Sequence, residues 1–146
     1  MRVVVQRVAS ARVEVDQKLV ANIGRGILLL VGFRESDTEQ ELDWMARKCL
    51  ELRIFEDEGG KMNRSVMDER GEVLIVSQFT LYGDCRKGRR PSYTESAPAS
   101  VAIQLYRRFV EIVSSYYPDV KEGIFGAKMK VSLINDGPVT LIIDKD

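Results

Sequence analysis

Ile27-Leu28-Leu29-Leu30-Val31 is the longest apolar run of the chain, and Gly24-Arg25-Gly26 leads into it. A strand with one wet face carries a polar residue at every second position. Five successive apolar residues instead describe a strand covered on both faces. Val73-Leu74-Ile75-Val76, inside the stretch from Glu72 to Gln78, reads as another central strand.

Working outward, the N-terminal third is β-structure. Val3-Val4-Val5 leads into Gln6-Arg7-Val8, and Ala11-Arg12-Val13-Glu14-Val15 alternates apolar and charged residues. Asp16-Gln17-Lys18 is a turn before Leu19 to Ile23, so the region predicts a meander of about four strands. A helix follows, with Ser36 and Glu39 at capping-box spacing and Leu42, Met45, Ala46, Cys49 and Leu52 on one face. Arg53 to Glu56 is extended, Asp57-Glu58-Gly59-Gly60 turns, and Lys61 to Ser65 is irregular. Asp84 to Thr94 is a loop. Ser96 and Pro98 open a second helix carrying Val101, Leu105, Phe109, Ile112 and Tyr116, closed by Pro118. Met129 to Ile134 and Val139 to Ile143 are strands joined through Asn135-Asp136-Gly137-Pro138. This order predicts an α+β protein, a single compact domain over residues 1–146 with a mixed or antiparallel sheet.

Composition removes several function classes. Lys plus Arg (22) balances Asp plus Glu (22), so no net field draws in nucleic acid or an anionic membrane, and any RNA contact must use local patches. Two cysteines, Cys49 and Cys85, are too few for a disulfide scaffold and suit a reducing cytoplasm. The opening Met1 to Arg7 is a strand pattern rather than a signal peptide. Histidine is absent. Without it there is no Ser-His or Cys-His pair and no ordinary zinc ligand set. Phosphate-binding glycine motifs are missing too, so no cofactor and no metal are expected.

Four places carry possible chemistry. Ser77-Gln78-Phe79-Thr80 follows a buried strand. Main-chain N–H groups there are free to bind an oxyanion, or the strand simply continues to Tyr82. Asn135-Asp136-Gly137-Pro138 is either a turn or a cis peptide whose neighbouring carbonyls hold an ammonium group. Arg86, Lys87, Arg89 and Arg90 crowd a single loop, suited to phosphate or merely solvated. Phe125 lies among small residues up to Ala127 and Met129, as a base-stacking ring or as core.

Read together, these residues resemble the D-aminoacyl-tRNA deacylases over essentially the whole chain. The matching stretches are Gln6-Arg7-Val8, Arg53-Ile54-Phe55, Gly60-Lys61-Met62-Asn63, Ser77-Gln78-Phe79-Thr80-Leu81, Arg90-Pro91-Ser92-Tyr93 and Val131 to Thr140. The resemblance implies barrel-like β-sheets with two main helices, and a homodimer with active sites at the subunit interface. It places Ser77, Gln78, Phe79 and Thr80 at the scissile ester. Gly137 and Pro138, held by Arg7, become a chiral gate that enters the partner's pocket. Phe125, Ala127 and Met129 would receive the terminal adenosine of tRNA, and Arg86, Lys87, Arg89 and Arg90 its backbone. The implied reaction hydrolyses D-aminoacyl-tRNA and glycyl-tRNA, assisted by the terminal 2′-OH. Thr80 as covalent nucleophile and a non-catalytic RNA-binding module are the alternatives.

Overall fold

The computed structural model describes all residues, Met1–Asp146. Strand β1 (Arg2–Val15) is followed by β2 (Lys18–Ile23) and β3 (Gly26–Gly32). Helix α1 (Glu39–Glu51) precedes a short hairpin of β4 (Phe55–Glu56) and β5 (Met62–Arg64). Then come β6 (Glu72–Ser77), a single helical turn at Phe79–Tyr82, α2 (Ala99–Tyr116), β7 (Val120–Glu122) and β8 (Lys130–Asp144). The main sheet runs β2-β1-β3-β6-β7, with β8 added along β1. β3 and β6 pair in parallel, from Gly26 opposite Glu72 to Val31 opposite Ser77, while β1 is antiparallel to β2, β3 and β8.

The two apolar runs sit at the centre, covered on both faces. Ile27, Leu29, Val31, Val73 and Ile75 join the core beneath the two helices. Leu28, Leu74 and Val76 face the other way, into a second core with Val8, Ala11, Val13, Ala21 and Ile23. Burying a side chain of this size contributes roughly 1.5–3 kcal/mol. The sheet curls around that second core until its edges nearly meet. Lys121 Nζ donates to Asn22 O at 2.6 Å, and the Gly24 amide to Glu72 Oε1 at 3.0 Å. The result is the barrel-like α+β domain that the resemblance implied.

Several elements differ from the sequence reading. The first third holds three strands rather than about four, because β1 is continuous. Its pairing with β8 skips Ala9 between Val8 and Ser10. Such a bulge reverses which side chains face which core, so Val3 and Val5 serve the helices while Ala11 and Val13 serve the barrel. Helix α1 is capped by Thr38, not Ser36. The Thr38 N–H and hydroxyl both donate to Glu41 Oε2, at 2.8 and 2.5 Å, and these bonds hold the Glu41 carboxyl below its ordinary range. Leu50, rather than Leu52, completes its buried face. Helix α2 is rotated by about a residue from expectation and buries Ala102, Tyr106, Phe109, Ile112 and Val113, with Tyr116 exposed. Lys61 to Ser65 contains β5 rather than irregular chain, and β7 was not foreseen.

The largest correction lies in the C-terminal strands. The segments expected at Met129 to Ile134 and Val139 to Ile143 form one strand, β8, which starts at Lys130, not two joined by a turn. Asn135 pairs with Val8 and Thr140 with Gln6, so Asp136 to Val139 swell out opposite Arg7 and the strand then resumes beside the same neighbour.

Candidate active site

β6 ends at Ser77 because its neighbour β3 ends beside it. The Gln78 N–H still donates to Val31 O at 2.7 Å, but the chain then turns through Phe79–Tyr82. The first N–H groups of a helical turn have no acceptor one turn back. Phe79 and Thr80 supply the first two N–H groups of this turn, and Leu81 N donates to Gln78 O at 3.2 Å. The Gln78 side-chain amide donates to the Thr80 hydroxyl.

This strand end opens onto a pocket of about 550 Å³, a volume suited to a small ligand. Ser77, Gln78 and Phe79 line one part of it, and Phe125, Ala127 and Met129 another. The structure thus collects six of the sequence-derived candidates in one cavity. Thr80 is not among the lining residues, though its amide lies one position beyond Phe79. Sequence reasoning missed other walls: Gly32 at the end of β3 and Phe33 beyond it, Ser96 and Ala97 ahead of α2, and Ala99 and Ala102 in its first turn. Small apolar residues there carry no local signal. Only the parallel pairing of β3 with β6, and the seat of α2, bring them to Ser77. No lining residue carries an ionisable side chain.

Behind the pocket, the buried Tyr106 hydroxyl donates to Ile75 O at 3.1 Å, and its ring lies 5.7 Å from that of Phe125. Burial pushes the Tyr106 phenol up in pKa, so this donor stays protonated.

The Gly137–Pro138 peptide is cis. Both residues are exposed on the β8 swelling and neither lines the pocket of its own chain. Arg7 fills the swelling from inside. It is only 7% exposed, and it donates from Nε to Asp136 O at 2.9 Å and from Nη1 to Ile54 O at 2.7 Å. Asn135 braces the base, accepting from Val139 N at 2.8 Å and donating to the Thr140 hydroxyl at 2.7 Å. Gly137 is required by shape, since φ is +134° and a Cβ would lie 2.8 Å from Arg7 Nη2. Arg86, Lys87, Arg89 and Arg90 lie on an exposed loop outside the pocket lining. Arg86 is paired with Asp84 at 2.7 Å and holds that carboxyl down at about 2.

An uncharged cavity with hydroxyl and amide groups on its wall and the first N–H groups of a helical turn at its rim defines a class: a protein with a built pocket for a small ligand that carries polar groups. Residues 4–144 match the family described as D-Tyr-tRNA(Tyr) deacylase. A D-aminoacyl-tRNA deacylase of Thermosipho africanus (strain TCF52B) is 56% identical over 144 residues, covering 99% of this chain and 97% of that one. One from Acaryochloris marina (strain MBIC 11017) is 53% identical over 146 residues, covering 100% and 97%. A solved structure described as c-Myc DNA Unwinding Element Binding Protein superposes with a TM-score of 0.95 at 44% identity, over 100% of this chain and 99% of that one. Another, described as a probable eukaryotic D-amino acid tRNA deacylase, shares the fold with a TM-score of 0.84 at 22% identity, over 99% and 98%. The chain belongs to the D-Tyr-tRNA(Tyr) deacylase family.

Proposed function

We propose that this protein hydrolyses the ester of D-aminoacyl-tRNA, releasing a free D-amino acid and tRNA in the cytoplasm. The observation that carries the mechanism is the pocket without an ionisable side chain. A protein acid or base is not at hand, so the reaction must run on positioning, main-chain dipoles and the substrate's own groups. An ester to a ribose with a vicinal 2′-OH suits these means, because it is already activated. The 2′-OH orients water, the water oxygen bonds to the carbonyl carbon, and the Phe79 and Thr80 amides receive the oxyanion. The tetrahedral centre then collapses, the ester C–O bond breaks, and the proton lost by the attacking water is relayed through the 2′-OH to the departing ribose 3′-oxygen. Donors of this kind are each worth about 10²–10³ in kcat. Phe125, Ala127 and Met129 hold the terminal adenine, and Ser77 and Gln78 shape the site beside the ester.

Selection by hand comes from the Gly137–Pro138 swelling, acting in the pocket of a second copy. Its main-chain oxygens hold the substrate α-ammonium, and an L side chain would be driven into the backbone wall while a D side chain points away. Glycine presents nothing to exclude, so glycyl-tRNA is cleaved as well. The support is structural: the swelling is exposed, is braced by Arg7 and Asn135, and lies outside its own pocket. β8 pairs on one edge only, and it carries exposed Ile134 and Ile142, as a chain awaiting a partner would.

Thr80→Ala in single-turnover assays is the test. D-tyrosyl-tRNA is expected to be cleaved within about tenfold of the unaltered rate, because the main-chain donors remain. Near-complete loss with binding intact would make Thr80 the nucleophile. The solved relative described as DNA-binding favours a second reading, a nucleic-acid-binding module without turnover. Binding of D-tyrosyl-tRNA with no release of D-tyrosine would establish that reading instead.

A further inference from the structure

Phe79 lines the pocket, yet 56% of it remains exposed, and its ring stands edge-on to Tyr93 with centroids 5.2 Å apart. Tyr93 is itself 39% exposed. Its seat is built from both sides. Ser96 N donates to Tyr93 O at 3.1 Å, which ties it to the start of the α2 wall. At Gly83 a Cβ would lie 3.0 Å from Tyr93 Cε1, so the missing side chain lets the ring lie against the backbone. Beyond the pair, Asp84 and Ser92 exchange two main-chain hydrogen bonds of 2.7 and 3.0 Å and close the basic loop at its base. Arg86 spends its charge on Asp84 within that loop, while Lys87, Arg89 and Arg90 are exposed and take part in no ion pair.

We propose that Phe79 and Tyr93, with Lys87, Arg89 and Arg90, form a second nucleotide subsite. It is a stacking ledge at the pocket rim for the base that precedes the terminal one in a single-stranded RNA 3′ end. The inference rests on the reading of the pocket as the site of the terminal aminoacyl-adenosine. Phe79 belongs to both places, so a base on the ledge is the immediate neighbour of a ligand in the pocket. Every base has a face to stack, and the ledge therefore grips without reading sequence. Three unpaired cations on a protein of zero net charge match the phosphates of such a strand, which a neutral protein partner would leave unsatisfied.

The experiment compares two substrates: full D-tyrosyl-tRNA, and D-tyrosyl adenosine ester, which has no preceding nucleotide. Tyr93→Ala is expected to raise the ratio of KM for tRNA to KM for the adenosine ester about tenfold, with kcat on tRNA unchanged. Tyr93→Phe, which keeps the ring, restores the ratio. The triple change Lys87→Ala, Arg89→Ala and Arg90→Ala touches only exposed side chains. It should raise the same ratio and flatten the salt dependence of tRNA binding by about one unit of slope per cation. An unchanged ratio in both variants overturns the ledge. So does a Tyr93→Ala protein that sediments at a lower mass than the unaltered one, which would assign the ring pair to contact with a second copy. If the unaltered protein cleaves neither substrate, the deacylase reading itself fails, a result distinct from cleavage of both with an unchanged ratio.

Discussion

At Arg7 the ladder between β1 and β8 opens, and the guanidinium takes the place of sheet pairing. A buried cation is costly unless its donors are satisfied, and Arg7 meets that demand with the carbonyls of Asp136 and Ile54. In doing so it fixes the swelling that carries Gly137. Gly137→Ala is expected to lower unfolding stability in urea by about 1–3 kcal/mol, because the left-handed backbone and the close guanidinium both oppose a Cβ. It should also remove deacylation. Asp84 allows a cleaner measurement. Its carboxyl falls from the ordinary 3.8 to about 2, first through the hydrogen bond from Arg86. The folded value lies below the unfolded one, so its stabilising effect is present above pH 3.8 and fades as pH falls toward 2. A carboxyl NMR titration should place the midpoint near 2, and Arg86→Ala should return it toward 3.8. The types of these residues were legible in the sequence. That Arg7 faces inward at an opening in the sheet was not, since an arginine in an alternating strand gives no sign of its acceptors.

Among the elements, the strands with unbroken apolar runs were read correctly, as was β2, whereas β1 and β8 were each divided in two and are continuous. β3 and β6 bury both faces, so no choice of phase arises. β1 changes phase at Ala9, which in sequence looks like a break between two strands. Asn-Asp-Gly-Pro has every mark of a reverse turn, yet the long-range ladder to β1 holds on either side of it and carries the strand through. For α2, the buried side carries Ala102, Tyr106, Phe109, Ile112 and Val113, with the Tyr106 hydroxyl on Ile75 O. Tyr106→Phe removes the hydrogen bond to Ile75 O, but that carbonyl keeps its bond from Gly123 N at 2.9 Å. The expected loss is about 0.5–1.5 kcal/mol of stability, read by thermal unfolding.

Across the whole molecule, one sheet serves two cores and leaves β8 with an unpaired edge. Val4 lies between Leu30 on β3 and Ile142 on β8, on the sheet face away from the helices, and Ile142 is 68% exposed. On the proposed reading, in which a second copy docks here, Ile142→Asp is expected to lower the mass seen in sedimentation equilibrium from two chains to one and to abolish deacylation, with the circular dichroism of the folded chain retained. A dimer that survives the change would move the interface elsewhere.

By itself the sequence determined the central strands, the two helices, the residue types of the site and the absence of any histidine base, because periodicity and composition are local properties of the chain. Tertiary structure alone decided that Ser77 and Phe125 share one cavity, that α2 supplies its far wall, and that Gly137 lies away from it. The first two follow from the parallel pairing of β3 with β6 and the seat of α2, the third from the ladder of β1 with β8, and such long-range pairing leaves no mark in any short window of residues.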